Sequence, residues 1–330
     1  MSHDPSHPHR LPVARSVFVV EALAGLLAAE YGLADVRCQL IKGTIRDTYA
    51  VATANEQYVF SIYRHGHRTM EESAAEADLL DHLAAGNVPV APAIRRVTGE
   101  RLLPILAPEG VRHGVLFRFV PGRHLDRQPE PALAARYGRA IASIHARADD
   151  GLASLPRPHL DIIDMMDRAL DALANVVPHR HRDLAYLQDV AARLAPGIGA
   201  LPMEPPGYGI VHGDVIPSNA QVTPEDQVVV LDFDFCGYGW RAYDVATFLG
   251  EMRFWSAPAA AEAAFLAGYE DVRTLAIWEW AALPALEVAR HVASLGTPAI
   301  YVNDWGSAYL TDGLFDRLVA TIQEAAARLG

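Results

Sequence analysis

The stretch HGDVIPSN places Asp214 five residues before Asn219, directly after the apolar segment GIV. A second apolar segment starts at Val228 and runs into LDFDF, which adds Asp232 and Asp234. Between them, AQV and the turn TPEDQ read as a short hairpin, so Asp214, Asn219 and Asp232 are expected to gather at one end of it. An amide oxygen and a carboxylate suit magnesium, a hard octahedral ion that takes one or two protein oxygens beside phosphate oxygens. A further carboxylate left off the metal accepts a proton from an attacking hydroxyl. In-line phosphoryl transfer asks for little else beyond positioning and charge neutralisation.

HGDVIPSN followed by LDFDFCGYGWRAYDVATFL resembles the aminoglycoside phosphotransferase and choline kinase family, distant relatives of the protein kinases. Within it, CGYGWRAYD looks most like bacterial members related to stress-response kinase A and type II homoserine kinases. The resemblance spans nearly the whole chain. It implies a two-lobed, protein-kinase-like α+β fold, with a nucleotide-covering N-lobe over residues 1–120 and a catalytic C-lobe over residues 121–330 meeting along a cleft. It implies ATP, or GTP, and Mg2+, with transfer of the γ-phosphate to the hydroxyl of a small molecule such as an amino alcohol, a homoserine-like compound or an aminoglycoside. By resemblance Asp214 is the catalytic base, Asn219 a metal ligand, Asp232 the principal metal ligand and Asp234 an auxiliary one. Asp244 would buttress the loop from a helix start, and His145 would pack beneath it. The stress-response relatives carry a rival, phosphorylation of protein serine or threonine, and a catalytically weak nucleotide-binding module is a second.

Upstream, IKGTIRDTYAV fits the strand-turn-strand that covers the phosphates in such kinases, with Lys42, Gly43 and Thr44 at the turn. RDTY matches the family pattern at Asp47, Thr48 and Tyr49 but puts Arg46 where an asparagine is usual. Many relatives carry a basic residue where this chain has Ser61, and Lys42 is the chain's single lysine. Lys42 and Arg64 are the candidate replacements; each reads equally well as a solvated charge at a strand end. Glu76 matches the helix glutamate that pairs with that base, and Phe119 and Val120 fall where backbone groups would read the adenine edge. The literal trio HRD at His181–Asp183 lies in a helical pattern with Gln188 in place of the needed asparagine, and reads as a helix start.

The elements around these residues follow from periodicity. SVFVVEALAGLLAAEYGL predicts an amphipathic first helix, too short and too charged to span a bilayer. Strands are predicted over VRCQLIKGTIRDTYAVAT, bending at Gly43, and over QYVFSIYR. A helix over TMEESAAEADLLDHLAAGN ends at Gly86-Asn87. VAPAIRRV, RLLPIL and GVLFRFV read as three more strands. From Pro131 onward helical periodicity dominates, and substrate recognition is expected among the last helices. There, Trp255, Trp278, Trp280 and Trp305 with Glu251, Glu279 or Asp304 form either core or a site for an ammonium group. Arg290 is a candidate clamp for a substrate carboxylate.

Composition bounds the rest. The chain has 330 residues, 51% of them hydrophobic, enough for one two-lobed domain or two small ones. A net charge of −12 disfavours binding to a phosphate backbone, so no nucleic-acid partner is expected. Two distant cysteines, Cys38 and Cys236, read as reduced thiols of a cytoplasmic protein. The histidine-bearing start, MSHDPSHPHR, reads as a disordered lead-in rather than a metal site. No membrane partner is expected, and the chain is expected to be a monomer or homodimer.

Overall fold

The computed structural model describes residues 11–150 and 154–329, so the histidine-bearing start lies outside the described residues. The chain divides into two compact units. One takes the described residues of Met1–Ser73 with Ala93–Arg118, the other Ala74–Pro92 with Phe119–Gly330.

The first unit is a five-stranded antiparallel sheet in the order β1-β2-β3-β5-β4, covered by one helix. The strands are β1 (Arg37–Gly43), β2 (Arg46–Ala52), β3 (Gln57–Tyr63), β4 (Leu102–Ala107) and β5 (Gly110–Arg118), and the helix is α1 (Val20–Tyr31). Strict alternation along β2 buries Asp47, Tyr49 and Val51 on one face. Tyr49 and Val51 pack with Phe60, Ile62, Leu103 and Leu116 beneath Leu23, Leu27 and Tyr31 of α1. The bend expected at Gly43 is a full reversal, for β1 and β2 pair as a hairpin with Gly43 opposite Asp47. VAPAIRRV does not form the predicted strand. Pro92 has no N–H to give a ladder, and only isolated bridges form, at Val90 and at Ala93.

Helix α2 (Met70–Ala85) starts in the first unit and continues into the second. Thr69 and Glu72 cap it reciprocally: Glu72 Oε2 accepts from Thr69 N–H at 2.8 Å, and Thr69 Oγ1 from Glu72 N–H at 3.1 Å. The second unit is mainly helical: α3 (Pro131–Asp149), α4 (Ile162–Val176), α5 (His181–Gly199), α6 (Arg241–Phe254), α7 (Ala259–Glu270), α8 (Ile277–Ile300), α9 (Val302–Trp305) and α10 (Asp312–Ala327). Gly138 and Gly268 let α3 and α7 touch backbone to backbone. A Cβ on Gly138 would stand 2.0 Å from the Phe265 carbonyl oxygen, and one on Gly268 equally close to that of Ala135. The trio at His181–Asp183 is the start of α5, where Asp183 accepts from Arg180 Nε at 2.8 Å.

Two small sheets complete this unit. β6 (Arg123–His124), β8 (Ala220–Val222) and β9 (Val228–Val230) form one, in the order β6-β8-β9; β7 (Tyr208–Val211) and β10 (Gly237–Trp240) pair as the other. No helix among the described residues is long and apolar enough to cross a membrane. Among the described residues neither Cys38 nor Cys236 takes part in a disulfide.

Candidate active site

The loop after β7 is held by buried polar groups rather than by regular structure. Asp244, in the first turn of α6 and sealed from solvent, accepts from His212 N–H at 2.7 Å and from Gly213 N–H at 2.8 Å. Its Oδ2 also faces His145 Nε2 at 2.9 Å, and His145 Nδ1 lies 2.8 Å from the Tyr269 hydroxyl. The His145 partner and the loop N–H groups hold the Asp244 carboxyl below its usual range against the opposing effect of burial. Burial drives His145 the other way, down to about 4, so the ring is neutral at pH 7. A neutral ring beside a carboxylate carries its proton on Nε2, which leaves Nδ1 to accept from the tyrosine. Gly213 is required at the bend. Its φ is +81°, and a Cβ there would stand 2.5 Å from the Phe235 carbonyl oxygen.

His212 ties the loop to the neighbouring hairpin. Its Nδ1 accepts from Asp214 N–H at 3.2 Å, and its Nε2 donates to the Leu231 carbonyl at 2.9 Å. The β8–β9 register pairs Ala220 with Val230, and Leu231 N–H donates to the Asn219 carbonyl at 2.8 Å. Asp232 is the next residue on. It is exposed and left-handed, with φ +63°, which turns the chain out of β9 into the short 3-10 turn Phe233–Phe235. Asp234 within that turn is buried.

Asn219 and Asp214 are in direct contact. Asn219 Nδ2 donates to Asp214 Oδ2 at 2.8 Å and to the Asp214 carbonyl at 2.9 Å. Both amide hydrogens thus point at the aspartate, and the amide oxygen is the end left to meet a cation. Asp214 Oδ1 accepts from Arg290 Nη2 of α8 at 2.6 Å. The arginine read as a substrate-carboxylate clamp is therefore bonded to the candidate base. Burial works against its charge, but Tyr243, Asp214 and Glu251 together hold its pKa above the ordinary value.

A further arginine organises the 3-10 turn. Buried Arg157 donates from Nε to the Cys236 carbonyl at 2.9 Å, and from Nη2 to the carbonyls of Asp234 at 2.7 Å and Phe233 at 3.2 Å. Its Nη1 lies 3.8 Å from Glu76 Oε2 of α2, also buried. This partner for Glu76 has no sequence signal, since Arg157 sits in an irregular proline-flanked segment.

The upstream candidates belong to the first unit. Lys42 is exposed on β1 opposite Thr48, and Thr44 N–H donates to the Arg46 carbonyl at 3.1 Å to close the turn. Arg64 follows β3 directly and is half-buried. Ser61 is buried inside β3, opposite Thr48 and Val115. Asp47 of the RDTY match is clasped by Arg15 and by buried Arg112, whose Nη2 donates to it at 2.7 Å. In the second unit, Phe119 is exposed, and the Val120 carbonyl accepts from Gln221 Nε2 at 3.4 Å.

The phosphotransferase enzyme family, APH, matches residues 37–286. The chain belongs to this family. An uncharacterized protein of Deinococcus radiodurans is 32% identical to it over 321 residues, covering 92% of this chain and 89% of the relative. A homoserine kinase of Mesorhizobium japonicum is 28% identical over 291 residues, covering 81% and 82%. Among solved structures, amicoumacin kinase hAmiN in complex with AMP-PNP, Ca2+ and Ami matches with a TM-score of 0.75 at 17% identity, covering 94% of each chain. The fold is the kinase-like fold of the APH enzymes, and the protein is a small-molecule phosphotransferase of that family.

In this APH phosphotransferase a cavity of about 740 Å³ opens beside the segment Ile216–Ser218, between Asp214 and Asn219. His124, Asp126, Arg127, Glu251 and Trp255 are among the residues of its other walls. Glu251 is half-buried, and burial raises its carboxyl above the ordinary range. Among the described residues its one hydrogen-bond donor is the Trp255 indole, at 3.1 Å. Of the aromatic side chains offered as either core or an ammonium site, Trp255 and Trp305 are engaged by other groups. The Arg127 guanidinium already lies over the Trp255 ring, 3.8 Å from its centroid. Glu279 is committed to Arg273 at 2.9 Å, and Trp305 stacks on Tyr301. Two carboxylates line this cavity, those of Glu251 and Asp126, and Asp126 is paired with Arg123 at 3.3 Å.

Among the described residues no group of three or more His, Cys, Asp or Glu side chains is arranged to hold a metal ion. The candidate metal set is instead one amide, Asn219, and two carboxylates, Asp232 and Asp234. An all-oxygen set of few protein ligands fits magnesium carrying a nucleotide's phosphates, and would not suit zinc.

Proposed function

We propose that this APH phosphotransferase moves the γ-phosphate of ATP to the hydroxyl of a small, amine-bearing molecule, with Asp214 as general base. The observation that carries the reading is the Asp214 carboxylate, held on one oxygen by Asn219 and on the other by Arg290. It is fixed in orientation, and its remaining lone pairs are able to accept a hydroxyl proton. The acceptor oxygen attacks the γ-phosphorus, its proton passes to Asp214, and the bond to the β-phosphate oxygen breaks to release ADP. Asn219 Oδ1, Asp232 and Asp234 would hold Mg2+, whose charge offsets that of the phosphate oxygens when it is bound. Lys42, Gly43, Thr44, Arg64 and Glu76 are the proposed nucleotide-binding set, with Phe119 and Val120 for the base.

The acceptor's amine follows from Glu251. A half-buried carboxylate with a single indole donor is best satisfied by an ammonium group. The homoserine kinase likeness makes a hydroxyl-bearing amino acid the first acceptor to try. The test is ADP release from Mg-ATP with homoserine, aminopropanol and an aminoglycoside, each beside a protein substrate. Phosphate appearing in the protein and in none of the amines would overturn the reading.

A further inference from the structure

The contact by which Arg290 holds Asp214 is built from both sides. The Arg290 side chain is 17% exposed, and its guanidinium reaches across from α8 to Asp214 Oδ1 at 2.6 Å. Nη1 donates to Ser294 Oγ at 2.6 Å, one helical turn along, and that hydroxyl in turn donates to the Arg290 carbonyl at 2.8 Å. The fork is thus held from behind by its own helix. Its buried Nε has no hydrogen-bond partner among the described residues. The charges acting on Arg290 are those of Asp214, Glu251 and Asp244, with the Tyr243 hydroxyl beside them. A cation buried among acids and reaching one of them at 2.6 Å is not a solvated surface charge.

Resting on the reading of Asp214 as base, we propose that Arg290 is a positioning residue. It fixes the Asp214 carboxylate plane together with Asn219, each bonding one of the two carboxylate oxygens. Asn219 alone grips one oxygen and leaves the group free to turn about its Cβ–Cγ bond. A second, charge-assisted contact on the other oxygen removes that freedom. The contact survives substrate binding, so Arg290 does not leave Asp214 to take a carboxylate of the acceptor. Lysine supplies the charge but not the planar fork, and is an incomplete substitute.

The test measures ADP release from Mg-ATP with homoserine, which carries a carboxylate, with aminopropanol, which does not, and with water as the acceptor. Arg290→Gln is expected to lower kcat by about 20-fold or more with all three, with KM values within about threefold of wild type. Arg290→Lys, the safer variant for folding, is expected to fall between wild type and Arg290→Gln. Guanidinium ion is expected to restore part of the turnover of Arg290→Ala. Asp214→Asn combined with Arg290→Gln is expected to be no worse than Asp214→Asn alone, because one residue acts through the other. Wild-type kcat in Arg290→Gln, multiplying losses in the double variant, or a loss confined to the KM of homoserine would each overturn the proposal. Full turnover in Asp214→Asn would overturn the base assignment, and this proposal with it; an inactive Asp214→Asn beside a fully active Arg290→Gln would overturn this proposal alone.

Discussion

His145 Nε2 stands 2.9 Å from Asp244 Oδ2, both side chains are sealed from solvent, and the same carboxylate holds the N–H groups of His212 and Gly213. The histidine is neutral there, its pKa lowered by burial to about 4, and burial lowers that of His291 to about 4 as well. In the unfolded chain both titrate near pH 6.5. Between pH 6.5 and 4 the unfolded state therefore binds protons that the folded state refuses. Their stabilising effect is complete above pH 6.5 and is lost as pH falls towards 4, by on the order of 3 kcal/mol per histidine. Asp244, lowered from its usual value, adds a further loss at still lower pH. Urea unfolding at pH 7, 5 and 4 should show a falling midpoint, and His145→Gln should flatten part of that slope. A midpoint independent of pH over this range would contradict the account.

In the first unit, Asp47 and Arg112 are both buried, and Arg112 also donates to the carbonyls of Tyr63 at 3.0 Å and Ser16 at 3.1 Å. Arg112→Met would leave Asp47 with Arg15 and strip those carbonyls of a donor. Removing one partner of a buried pair costs about 3–5 kcal/mol. Chemical denaturation should report a loss of that size, and a change below about 1 kcal/mol would mean that Arg15 and water replace Arg112 fully.

Glu251→Gln removes the charge that the proposed ammonium group would meet while keeping the indole contact. The expected result is an acceptor KM raised by about tenfold or more, with the KM for ATP changing far less. Steady-state kinetics with aminopropanol reads this directly. An unchanged acceptor KM would move the amine subsite elsewhere.

Asn219→Ala should raise the Mg2+ concentration needed for half-maximal turnover, because the amide oxygen is lost from a set with few ligands. It also frees Asp214 Oδ2, so kcat should fall too. Titration of Mg2+ into chelator-treated protein measures the first effect separately. An unchanged Mg2+ requirement would remove Asn219 from the metal set.

Which parts of this architecture could be read in the sequence depends on how local the cause is. The loop from His212 to Asp232 is legible because short strands, a glycine bend and an asparagine lie within about twenty residues of each other. The buttress from Asp244 and His145 entered through family resemblance, and its bond lengths are those of a single packed cluster. VAPAIRRV misled because its apolar residues look like a strand while Pro92 withholds an N–H. The partners of Arg112, Arg157 and Arg290 lay beyond reach for one shared reason, although Arg290 itself is singled out as a candidate. Each arginine meets its partner across a separation set by the packing of distant elements, and one arginine in a strand, a loop or a helix carries no local mark of that. The contact of Arg127 with Trp255 is equally hidden, since nothing near Trp255 in sequence announces that Arg127 covers its face.

The central claim is that Asp214 takes the acceptor's proton. The direct measurement is kcat for ADP release from Mg-ATP with an amine-bearing acceptor, in wild type and in Asp214→Asn, beside ATP affinity measured by calorimetry. A loss of about 100-fold or more in kcat, with ATP affinity within about threefold, is the predicted result. Turnover in Asp214→Asn equal to that of wild type would contradict the account.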